Sequence, residues 1–181
     1  MGNIEKAKTH CLKVLSKKKD RICAYLPGHI KSVQRWSERL MKDYPKADKE
    51  ILLLSIWLHD IGHALSNHAD HHIKSEEEAR RFLKTIKLNS KKIEKVAHCV
   101  RAHRCRDVKP ETIEAKILAA ADSASHFTDG CYMDMAMSGI KKLALEKLDR
   151  DYRDVGIFPK LKKEITPIYK AWKNLIKVYP N

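Results

Sequence analysis

Little in this chain alternates as a strand would, and no apolar run is long enough to span a bilayer. Glycine and proline are sparse, six of each, so few positions interrupt a helix. The five cysteines, Cys11, Cys23, Cys99, Cys105 and Cys131, are odd in number and form no Cys-x-x-Cys. That pattern argues against a disulfide framework or a thiolate zinc site and suits a reducing compartment. The opening residues Met1–Lys6 lack an apolar secretory core, and Lys6 stands where a myristoylation signal wants Ser or Thr. The expectation is a cytoplasmic protein with no membrane partner. Aromatics are only 7% and do not interleave with the basic clusters, as a single-strand nucleic-acid binder would require.

Helix and positive charge are what the chain has in quantity. Its 181 residues carry a net charge of +14, which attracts anions such as nucleotides, polyphosphates or nucleic acid. Apolar periodicity predicts an all-α fold with helices over about 4–19, 29–43, 49–60, 75–87, 91–104, 110–121, 139–150 and 160–178. Leu26-Pro27-Gly28 reads as a break before the second helix. Ser75-x-x-Glu78 reads as the capping box of the fourth, and Ser90 as the cap of the fifth. Between them, Gly62 to Ile73 reads as a histidine-rich loop in which His68 and His71 are surface residues. No linker divides the chain, so residues 1–181 are expected to form a single domain.

The run Ile51–Leu58 ends in His59-Asp60, an imidazole and a carboxylate at the end of an apolar helix. Burying such a pair is costly unless something compensates for lost water, and a bound cation is the simplest compensation. Further residues of metal-ligand type stand at helix boundaries: His29, His72, His103 and Asp122.

The ordered set resembles the HD superfamily of metal-dependent phosphohydrolases. The matching text is His29 with Val33, then Leu58-His59-Asp60-Ile61-Gly62-His63, His72 through Ala79, Ile93 through His103, and Pro110 through Asp122. The resemblance covers about residues 25–125 and leaves 126–181 as a helical C-terminal extension. It implies one HD-like helical bundle that hydrolyses a phosphate ester or nucleotide through metal-activated water. It implies that His29, His59, Asp60 and Asp122 bind one divalent metal. His72 and His103 would add a second, with Asp60 as bridge. The donor set suits Mn, Fe, Ni, Co or Zn, with Mg admissible. A divalent ion acidifies a bound water and draws charge from a phosphoryl oxygen.

His63, three residues after Asp60, is the candidate general acid or base. Among Arg101, Arg104 and Arg106, Arg104 is assigned to substrate phosphate. Where many relatives carry a second carboxylate three residues after the metal aspartate, this chain has Ser125. The competing reading is a basic nucleic-acid-binding module whose metal is structural; the absence of one dense basic face disfavours it. The amphipathic last helix could dock on a second copy, giving a homodimer.

Overall fold

Asp48 accepts from the backbone N–H groups of Glu50 and Ile51 and so starts the central helix of the molecule. In the computed structural model, which describes residues 1–66 and 68–180, that helix is α3, Lys49–Leu58. Every residue from Ile51 to Leu58 is buried, because the helix is apolar all round and is covered on several sides. Around it stand α1 (Asn3–Leu15), α2 (Arg21–Asp43), α4 (His71–Thr85), α5 (Ser90–Ala102) and α6 (Ile113–Ser125). The C-terminal part adds α7 (Cys131–Met137), α8 (Lys141–Asp154) and α9 (Pro159–Val178). No strand occurs among the described residues, so the fold is all-α. One connected apolar core runs from Ala7 in α1 to Ile176 in α9.

Helix α2 packs along α6, and α4 along α5. The α6 run Ile117-Leu118-Ala119-Ala120-Ala121 is fully buried, and its small side chains let neighbouring backbones approach. The buried stripe of α2 is Leu26, His29, Ile30, Val33, Ser37 and Leu40, which is helical spacing. It starts at Arg21, not after Pro27. Asp20 accepts from the Cys23 N–H at 2.7 Å, and the helix passes through Pro27-Gly28 without breaking. The core contacts of Leu26 and Ile30 outweigh the one backbone bond that proline removes. His29 therefore lies two turns inside a helix.

Helix α4 also starts early, at His71. Ser75 is not its cap: the Ser75 hydroxyl lies inside the helix and accepts from the Gly62 N–H at 2.8 Å. A Cβ on Gly62 would stand 2.7 Å from the Ser75 nitrogen and closer still to the His71 carbonyl oxygen. Only glycine lets the turn after the His-Asp pair touch α4 this closely. That short turn is a 3-10 helix, Ile61–Ala64. The cap of α5 is Asn89, not Ser90, with its side chain accepting from the Lys91 N–H. Among the described residues no helix is long and apolar enough to cross a membrane.

Candidate metal centre

Six elements deliver imidazoles and carboxylates to one point. His29 comes from the middle of α2, and His59 and Asp60 follow the last turn of α3. His63 sits in the 3-10 turn, His71 opens α4, His103 ends α5, and Asp122 lies on α6. His29 and His59 are at most 1% exposed. Asp60 stands between two groups of histidines. Its Oδ2 is 3.4 Å from His59 Nε2 and 3.6 Å from His29 Nε2. Its Oδ1 is 3.4 Å from His71 Nε2, 3.6 Å from His103 Nε2 and 3.8 Å from His63 Nε2. Asp122 Oδ1 closes the first group, 3.0 Å from His29 Nε2 and 3.8 Å from His59 Nε2. Among the described residues three sets could hold a metal ion: His29, His59 and Asp122 with one oxygen of Asp60 beside them; Asp60, His71 and His103; and His29, His126 and Asp129.

The ring orientations are fixed from behind. Nδ1 of His59, His103 and His71 lies 2.8, 2.6 and 2.7 Å from the carbonyls of Ile56, Val100 and His68. With Nδ1–H donating to a carbonyl, Nε2 of each ring is left as the lone-pair nitrogen facing Asp60. His29 Nδ1 is 3.2 Å from Asp129 Oδ2, while the Tyr25 hydroxyl donates to that same oxygen. Among the described residues His29 Nε2 and His59 Nε2 are buried without a hydrogen-bond partner, and Asp122 Oδ1 stands 3.0 and 3.8 Å from them. Buried polar atoms without partners are rare. Two of them, backed by fixed tautomers and facing carboxylates, fit a divalent cation.

Burial and neighbouring charges set the protonation of these groups. Burial alone would raise the Asp60 carboxyl, but His59, His63, His71 and His103 hold it far below the ordinary carboxylate range. Asp122, also buried, is held well down by His29 and its imidazole neighbours. Burial pushes His63 and His103 down to about 3, so both rings are neutral at physiological pH. Burial would lower His29 too, yet Asp122 and Asp129 hold it at about 10.

Of the residues expected from sequence, His29, His59, Asp60, His63, His103 and Asp122 converge here. His72 does not. Its Nε2 faces Asp107 at 3.5 Å, and its Nδ1 is 3.0 Å from the Arg104 guanidinium. Successive helical residues point about 100° apart, so only one of the pair at the start of α4 can face Asp60. It is His71, which is buried and not the surface-loop residue that the histidine-rich stretch suggested.

The centre lies in the wall of a cavity of about 860 Å³ that Arg104 also lines. Arg104 donates to the Ala69 carbonyl at 2.8 Å. Burial and the nearby charges of Arg106 and Arg150 lower its pKa, which marks a place where positive charge is crowded. The extension past residue 125 contributes more than sequence reasoning foresaw: His126, Asp129, Lys147 and Arg150 all line this cavity. His126 stacks on His29 at 4.8 Å, and its Nδ1 is 3.1 Å from Lys147 Nζ. Its place four residues after Asp122 was the available signal, since residues so spaced share a helix face. Asp129 supplies beside His29 a carboxylate that Ser125 does not. Ser125 Oγ instead lies 3.1 Å from His29 Nδ1 and donates to the Asp122 carbonyl.

A match to the family described as HD domain spans residues 28–125, more than half of the chain. No curated protein and no solved structure matches the chain.

Proposed function

This chain belongs to the HD-domain family, and from that premise we propose that it is a metal-dependent phosphohydrolase acting on a phosphate ester or nucleotide. The observation that carries this reading is the Asp60 carboxylate, with one oxygen turned to each histidine group, together with the unpartnered Nε2 atoms of His29 and His59. His29, His59, Asp60 and Asp122 are assigned to one divalent ion; His71 and His103 share Asp60 in holding a second. A cation bound there supplies an acidified water and a sink for phosphoryl charge.

The chain's own groups do the rest. Arg104 and Arg150 place guanidinium donors at the same cavity, where phosphate oxygens would be received as charge-assisted hydrogen bonds. His63, neutral and lining that cavity, accepts the proton of the attacking water at Nε2, 3.8 Å from Asp60 Oδ1. Asp129 and the carbonyls of Ile56, Val100 and His68 keep the imidazoles from turning.

The test is a phosphatase screen on protein reconstituted with Mn, Fe, Ni, Co, Zn or Mg. Turnover is expected with at least one metal, and Asp60→Ala should lose it while keeping its helical circular-dichroism signal. Full activity in Asp60→Ala would end the assignment.

A further inference from the structure

Besides the charged groups, the same cavity is lined by thioether and aliphatic side chains: Met133, Met135 and Met137, with Ile22 and Ile140. Three of these are left in water, Met137 at 66% exposure, Ile140 at 42% and Ile22 at 38%. Apolar groups lining a cavity together with a few converging polar groups are the usual make-up of a small-molecule site. The polar side chains on this wall are engaged with each other. Arg21 pairs with Asp134 and donates to the Ser138 hydroxyl, and that hydroxyl donates to the Asp134 carbonyl. They are thus not arranged to read the polar edge of a ligand. Methionine is unbranched and adjusts its shape to whatever apolar body meets it.

We infer that the ligand of this cavity is an organic phosphate monoester with an apolar alkyl or aryl body. Its phosphate lies at the Asp60 end between Arg104 and Arg150, and its body lies against the methionine wall of α7. The placement of the phosphate rests on the hydrolase reading above; the body's site on the methionine wall does not.

Calorimetry on the manganese-loaded protein with methylphosphonate and phenylphosphonate tests this directly. The phenyl compound should bind roughly tenfold more tightly, as expected for the extra apolar area buried. In Met137→Gln, and further in Met133→Gln/Met137→Gln, the ratio of the two affinities should fall toward one. Met137 is exposed, so its single variant keeps the test open where the double variant does not fold. Equal affinities in the unaltered protein, or no binding of either compound, would overturn the inference. So would an unchanged ratio in a folded Met137→Gln protein. Hydrolysis of methyl and phenyl phosphate, measured alongside, separates the two ideas. Turnover without the preference sinks the methionine wall alone; the preference without turnover sinks the hydrolase alone.

Discussion

At the scale of single residues, the proposed function turns on which nitrogen of which histidine faces Asp60. His71 and His72 are neighbours in sequence, both are buried, and both stand near arginine or aspartate. Of these two, His71 alone brings its Nε2 to 3.4 Å from the Asp60 carboxylate. His71→Ala should therefore abolish binding of a second metal equivalent and cut turnover at least tenfold. His72→Ala should change metal stoichiometry not at all. Metal titration followed by calorimetry on both variants checks this. Sequence alone made His29, His59, Asp60, His103 and Asp122 legible, because each is a polar interruption in an apolar helical setting. It did not make the choice between His71 and His72 legible. That choice depends on where α4 begins, which is set by the tertiary contact of Gly62 with Ser75. Lys147 and Arg150 were illegible for a similar reason, since α8 reaches the centre by packing among α6, α7 and α9, and Asp129 lies in the turn between α6 and α7.

At the scale of elements, the periodicity of apolar residues gave every α-helix but the short α7, and caps and breakers gave some wrong ends. Pro27 looked like a boundary, but the apolar face of α2 continues through it. One element-level contact is exacting. Gly62→Ala would place a methyl against the His71 carbonyl and the Ser75 nitrogen, both backbone atoms that cannot swing away. The variant should lose about 1–3 kcal/mol of stability, the usual range for overpacking, and should lose metal at the His71 group before the His29 group. Denaturant melts with metal analysis would show it.

The start of α2 is a second case. The Cys23 N–H, and then Lys18, hold the Asp20 carboxyl down at about 2. A carboxyl whose folded pKa lies below its unfolded value stabilises above about pH 4, and that contribution fades as pH falls toward 2. Asp20→Ala should thus cost about 1 kcal/mol at pH 6, the typical worth of a helix cap. The gap from the unaltered protein should shrink once the pH drops below 4. Urea unfolding at pH 6 and pH 3 measures both.

At the scale of the whole molecule, the chain places a cluster of imidazoles and carboxylates in the wall of a cavity under a field of +14. Some of the cations are neutralised in ion pairs such as Lys92 with Glu50 and Lys173 with Asp149. Arg104, Arg106 and Arg150 are crowded together, two of them lining the cavity. Steering of an anionic substrate follows from such a field and is screened by salt. Raising ionic strength from 0.02 to 0.3 M should lower kcat/KM several-fold with little change in kcat. An equal fall in both would point to an effect on chemistry instead of encounter.

The claim on which all three scales depend is that the Asp60 carboxylate and its histidines are a metal centre. Elemental analysis of the purified, tag-free protein after incubation with a transition metal and gel filtration addresses it most directly. One to two ions per chain should be retained, and Asp60→Ala should retain fewer than one. Protein that emerges metal-free from every incubation, or an Asp60→Ala variant that holds as much metal as the parent, would contradict the account.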